Sequence, residues 1–137
     1  MMPPIGVDTS VALALLVASH RQHAAASAWS QGREVALSGH AAAETFSVMT
    51  RLPGDARFKP EDAALLIRSR FAPCLVADNP TLTNLPDILA PLGIAGGAVY
   101  DALVGLAARD NGVQLATRDA RALPTYERLG ISVVVVE

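Results

Sequence analysis

Short, largely unbroken apolar runs recur along this chain, separated by longer helix-forming stretches. Ile5-Gly6-Val7, Val35-Ala36-Leu37, Cys74-Leu75-Val76 and residues 113–116 and 131–136 are such runs. A strand with one wet face alternates apolar and polar side chains. Strands that stay apolar belong instead to a parallel sheet covered on both faces. The pattern therefore predicts an α/β three-layer sandwich, with a central parallel sheet of about five strands and helices on both sides.

The intervening stretches carry helix signals. Residues 11–18 are apolar on nearly every side, so that helix is expected to be buried, and Asp8, Thr9 and Ser10 ahead of it offer caps. Further helices are expected over residues 24–29, 41–52, 60–71, 86–92, 98–111 and 120–129. Pro60 suits a first helical position, with Glu61 and Asp62 in the first turn. Asn84 is a candidate cap, and Gly112 and Gly130 are stops. No repeat, low-complexity tract or linker interrupts the alternation, so residues 1–137 are expected to form one domain. Aromatic residues make up only 4% of the chain, so its core must be aliphatic.

Charge and cysteine usage narrow the function classes. A formal charge of −2 is not that of a generally basic nucleic-acid binder. Any RNA contact would rest on local arginines, since Lys59 is the only lysine. Cys74 is the single cysteine, which excludes an intrachain disulfide and a Cys-rich metal site. It is expected to be a buried, inert thiol. There is no signal-peptide pattern and no bilayer-length apolar run. A cytoplasmic protein is the expectation.

Four acids occupy comparable junctions. Asp8 follows the first strand, and Asp119 follows the strand at 113–116. Glu44 and Asp101 fall near helix starts, Asp101 just after Gly96-Gly97. In an open α/β sheet these places share the carboxyl edge, where ligands bind. Each acid also has a structural reading: Asp8 and Asp119 as helix caps, Asp101 as a partner of the helix dipole, Glu44 as a solvated first-turn acid. Asp55, Asp62, Asp87 and Asp110 read as turn or solvated-face residues. Four carboxylates at one edge repel and raise some of their pKa values. A divalent cation relieves the conflict, and oxygen ligands favour Mg²⁺ or Mn²⁺. Such a site activates water and clamps phosphate oxygens, which implies phosphodiester hydrolysis.

Ile5-Gly6-Val7-Asp8-Thr9-Ser10, the Ala43-Glu44 helix, Val99-Tyr100-Asp101-Ala102 and Leu115-Ala116-Thr117-Arg118-Asp119 resemble the four acidic motifs of the PIN domain. Their order, spacing and the chain length resemble the VapC toxins of bacterial toxin–antitoxin pairs. The resemblance implies a PIN-like fold and a metal-dependent endoribonuclease. Asp8, Glu44, Asp101 and Asp119 would be catalytic and bind Mg²⁺ (or Mn²⁺). Thr9, Ser10 and Thr117 would support them, and Arg118 and Arg121 would hold RNA phosphates. Some relatives carry a further acid where this chain has Arg121, which implies one firmly held ion. The resemblance also implies a homodimer and a cognate VapB antitoxin as partner, with no membrane role.

Two other readings remain open at this level. A non-catalytic PIN-like binding module would keep the fold. A receiver-type phosphoacceptor domain also gathers acids at a sheet edge, but it needs a lysine after a late strand, and Lys59 lies mid-chain before Pro60. His20 and His23 are expected to be solvated, and His40 to face either the acids or solvent. The helices at 41–52 and 60–71 carry Phe46, Val48, Met49, Leu52, Leu65, Leu66, Ile67 and Phe71. Core packing accounts for most of these, and a groove for an amphipathic antitoxin segment would account for the rest.

Overall fold

The computed structural model describes residues 3–137. Five strands, β1 (Ile5–Val7), β2 (Val35–Ser38), β3 (Ala72–Leu75), β4 (Leu115–Thr117) and β5 (Val133–Val135), form one sheet in the order β3-β2-β1-β4-β5. Every pairing is parallel. From β1 the chain builds outward through β2 to β3, then crosses back to add β4 and β5 on the other side. The reversal falls between β1 and β4, which puts the topological switch point at their carboxyl ends. The expected sheet is therefore present, with the interior strands β2 and β4 wholly buried.

Eight α-helices cover it: α1 (Thr9–Leu16), α2 (His23–Ser30), α3 (Gly39–Met49), α4 (Pro60–Arg70), α5 (Asn79–Thr83), α6 (Leu85–Leu89), α7 (Ala98–Asp110) and α8 (Leu123–Arg128). Helix α1 begins where Asp8 accepts a hydrogen bond from Val11 N, and α3 where Ser38 accepts one from Ala41 N. Helix α7 ends before Gly112, whose φ of 66° suits glycine. The main core joins Val7, Val11, Leu15, Leu37, Leu106, Leu115 and Tyr126 across the layers. Gly105 on α7 permits the closest of these contacts. A Cβ there would meet the Tyr126 ring at 3.1 Å and Ile131 at 3.2 Å, so α8 and the approach to β5 press against α7's bare backbone. We expect Gly105→Val to destabilise the fold by about 1–3 kcal/mol through overpacking, measured by urea unfolding.

Several expectations need correction. Cys74 is exposed rather than buried. β3 is the edge strand, starts at Ala72 and contains Pro73, whose missing N–H an edge tolerates. Asn84 does not cap α6 with its side chain, which donates instead to Pro80 O at 2.9 Å. Residues 79–83 add a helix, with Pro80 near its start. Asp119 does not cap the last helix, which starts four residues later at Leu123. Asp110 is not simply solvated: its carboxylate accepts from Asp78 N at 2.9 Å and ties the β3–α5 loop to α7. His20 and His23 are half-buried. Gln22 N donates to His20 Nδ1, and His23 Nδ1 pairs with Ala14 O at 2.8 Å.

Candidate active site

The carboxyl ends of β1 and β4 open into a cavity of about 100 Å³ lined by Asp8, Thr9, Ser10, Glu44, Asp101, Val104, Asp119 and Tyr126. All four sequence-nominated acids meet there, each delivered by a different element. Asp8 leaves β1 and caps α1, Glu44 stands in the second turn of α3, Asp101 in the first turn of α7, and Asp119 follows β4. Larger depressions exist elsewhere: three are mainly apolar, and one of about 560 Å³ is mixed, lined by Ile5, Gln31, Arg33 and Glu34, but none of these gathers several carboxylates. Chemistry rather than size marks this one.

Asp8 is held most firmly. Its Oδ1 accepts from Ser10 Oγ at 2.5 Å and from Val11 N at 3.3 Å. Its Oδ2 accepts from Thr117 Oγ1 and, at 3.0 Å, from the Tyr126 hydroxyl. A carboxylate has about four acceptor sites, so these donors saturate it. Thr117 in turn accepts from Asp119 N at 3.0 Å, and Ser10 Oγ from Arg118 N at 2.9 Å. The two strand exits are thereby stitched together, and the capping and site-facing readings of Asp8 both hold.

The other acids are freer. Glu44 is exposed; its Oε1 takes the Thr9 hydroxyl at 3.3 Å and lies 3.2 Å from His40 Nε2, without hydrogen-bond alignment at the imidazole. Asp119 Oδ1 accepts from Arg121 N at 3.0 Å and sits 3.4 Å from Arg121 Nε. Burial, and then the charges of Asp119, Asp8 and Glu44, raise the Asp101 pKa above its ordinary value, with Arg121 opposing. The repulsion expected of a four-acid cluster is thus present and falls on Asp101.

Sequence reasoning missed Tyr126. It is fully buried, and burial followed by the nearby Asp8 and Asp101 charges pushes its phenol far above the usual range. It is therefore a neutral O–H donor to Asp8 at any physiological pH. Its position on a six-residue helix gives no periodic signal. The bare backbone at Gly105 leaves room for its ring, and its hydroxyl reaches Asp8. Arg121 is almost fully exposed, whereas Arg118 is half-buried with Nη1 lacking a partner among the described residues. The Arg118 charge reaches His20, which burial and then Arg118 make harder to protonate. Lys59 precedes α4 and does not line the cavity, so the lysine that a phosphoacceptor site needs is not supplied.

A PIN-domain family model matches residues 5–129. The chain belongs to the PIN-domain family. Within it, Ribonuclease VapC27 of Mycobacterium tuberculosis is 58% identical over 135 residues, covering 98% of each chain. Ribonuclease VapC40 of the same species is 44% identical, covering 96% of this chain and 98% of its own. The protein is thus a PIN domain of the VapC ribonuclease family. In three dimensions it is similar to the Sarcin-Ricin loop cleaving toxin VapC20 of M. tuberculosis, at a TM-score of 0.67 over 93% of this chain and 95% of that one, with 22% identity. At that identity the likeness concerns the fold alone.

As a candidate metal centre, the PIN-domain cavity offers only oxygen donors, which suits a hard cation. Among the described residues no three acidic, His or Cys side chains are already drawn together as a cage. The physical reason is visible in their partners: Asp8 is saturated by hydroxyls, Glu44 leans on Thr9 and His40, and Asp119 turns to Arg121. An ion would have to compete with these contacts, while relieving the repulsion centred on Asp101.

Proposed function

We propose that the chain is a divalent-cation-dependent endoribonuclease acting as the toxin of a VapBC-type pair, a single domain working in the cytoplasm. The observation that carries this reading is the convergence of four acids from four elements on one cavity, with the Asp101 proton affinity raised by burial and then by the other three. Asp8, Glu44, Asp101 and Asp119 would hold Mg²⁺ or Mn²⁺, which supplies Lewis-acid activation of water and charge neutralisation at the phosphate. Asp8, fixed by Ser10, Thr117 and Tyr126, sets the geometry at the floor. Thr9 orients Glu44, whose Oε2 lies outside the Thr9 and His40 contacts and would be free to hold the ion or orient its water. Thr117 couples Asp8 to the backbone of Asp119 and keeps the two acids in register. Purified protein should cleave single-stranded RNA, lose activity in EDTA and regain it with Mn²⁺. RNA bound but never cleaved, with or without the ion, would favour the non-catalytic module instead.

Arg121 and Arg118 would bind phosphates beside the acids. The chain is acidic overall, so few such contacts form, and each contributes roughly 0.7 to the slope of log affinity against log salt for single strands. Arg121→Ala should reduce that slope by about one contact. An unchanged slope in the Arg118→Ala, Arg121→Ala double variant would route the RNA elsewhere.

The antitoxin would dock on α3 and α4. Met49 is consumed by packing against Val17 and Ala63, but Phe46, Leu65 and Leu66 remain exposed. Beside these helices lies an apolar depression of about 430 Å³ lined by Ala42, Ile67, Phe71 and Pro73. An amphipathic antitoxin segment fits such a surface, and the toxin itself would be a homodimer. The product of the adjacent small open reading frame should co-purify with the chain and relieve its toxicity. If it does neither, the toxin assignment fails while the nuclease assignment stands.

A further inference from the structure

Aromatic residues are scarce here, and Tyr100 spends one at the surface: it is 56% exposed, immediately before Asp101 in the first turn of α7. Its ring stacks on His40, with centroids 5.2 Å apart and planes 12° from parallel. His40 in turn lies against Glu44, 3.2 Å from Oε1. The stacked pair therefore flanks the acidic cavity, Tyr100 next to Asp101 in the chain and His40 next to Glu44 in space. On its far side His40 borders a second cavity of about 150 Å³, walled by Leu75, Val76, Leu82 and Leu103. Val76 and Leu82 are themselves exposed.

The acidic cavity, at about 100 Å³ and ringed by carboxylates, is small, and it repels an anion unless a cation lies between them. The bases on either side of the cut must lie outside it. Single-stranded RNA is read by stacking unpaired bases on aromatic rings, and such stacking tolerates any base because each has a π-face. Tyr100 does not line this cavity itself, but it directly precedes Asp101, which does, and its exposed ring is backed by His40 beside Glu44 and so held in orientation.

We propose that the Tyr100–His40 stack is a nucleobase subsite, on which an unpaired base flanking the scissile phosphate lies. It rests on the ribonuclease reading and adds where the substrate's base is held. His40 is the positioning residue: it supports the Tyr100 ring and lies beside Glu44, so the base subsite and the acid cluster adjoin at one imidazole.

The test uses the wild-type chain with Ca²⁺ in place of Mg²⁺ or Mn²⁺, to neutralise the acids without supporting cleavage, and a short single-stranded RNA with 2-aminopurine next to its mapped cleavage position. Binding should quench the probe's emission. Tyr100→Leu should weaken binding by about 5- to 150-fold, the range for loss of one stacked base, and abolish the quench. Tyr100→Phe and Tyr100→Trp should keep both. In Mn²⁺ the Leu variant should show its defect chiefly in KM. A Tyr100→Leu protein that still cleaves RNA and binds and quenches the probe like wild type would overturn the subsite and leave the nuclease reading intact. Wild-type protein that cleaves no RNA would remove both. A Trp variant that binds more weakly than the Leu variant would also overturn it, since the larger ring should stack at least as well.

Discussion

Asp8→Asn and Asp101→Asn should both abolish RNA cleavage yet move stability in opposite directions. Each removes a hard anionic ligand, so activity should fall by at least the roughly 100-fold that partners surrounding metal sites reach. At Asp8 the amide keeps one carbonyl oxygen for Ser10 and Val11 N. In place of Oδ2 it puts an N–H₂ against two donors, Thr117 and Tyr126. Thr117 already accepts from Asp119 N and is wholly buried, so its own hydroxyl proton is left without an acceptor. Losing one hydrogen bond to a buried charge costs about 1.5–3 kcal/mol, and Asp8→Asn should unfold correspondingly earlier in urea.

Asp101 is the reverse case. Its folded pKa is raised above 3.8 by burial and by three neighbouring carboxylates. An acid whose folded pKa is raised stabilises the fold below its unfolded pKa, and that contribution is lost as pH rises through the folded value. At neutral pH the ionised Asp101 is therefore a cost, softened by solvent because the side chain is only partly buried. Metal-free Asp101→Asn should melt above wild type at pH 7, and the gap should close as pH is lowered toward 3.8. Adding Mg²⁺ should raise the wild-type melting temperature more than that of the variant, since only wild type retains the full ligand set. A variant that melts below wild type at pH 7 and stays below at acid pH would contradict the repulsion.

Tyr126 should be the most costly single truncation near the site. Tyr126→Ala removes a fully buried ring packed on Gly105, together with the hydroxyl on Asp8. Large-to-small aromatic changes in cores cost about 3–5 kcal/mol, and denaturant midpoints should fall accordingly. Tyr126→Phe isolates the hydroxyl, at about 1.5–3 kcal/mol. It also frees an acceptor site on Asp8, so the Phe variant should recover part of its loss when Mn²⁺ is added. If Phe and Tyr are equally stable without metal, the Tyr126–Asp8 bond is not formed in solution.

The contrast between these residues explains what the sequence could convey. Asp8, Glu44, Asp101 and Asp119 were legible because each stands at a strand exit or a helix start, and the parallel topology implied by apolar strands carries all such places to one edge. The relation between them was therefore local punctuation plus one fold-level rule. Tyr126 and the Tyr100–His40 stack obey no such rule. Tyr126 reaches Asp8 from α8, which packs close against Gly105, a contact across 21 positions of chain with no periodic trace. Cys74 misled for a related reason: an apolar run reads the same whether its strand is central or at the edge, and only the sheet order places β3 outermost. Asp110 was likewise decided by the β3–α5 loop that meets it, and His23 by the Ala14 carbonyl of α1.

Calorimetric titration of Mn²⁺ into metal-free wild-type protein and into Asp101→Asn tests the central claim most directly, since it reads the carboxylate site without RNA, partner or turnover. The account predicts saturable binding to wild type that is lost or greatly weakened in the variant. Equal binding by both proteins, or no binding by wild type, would contradict it.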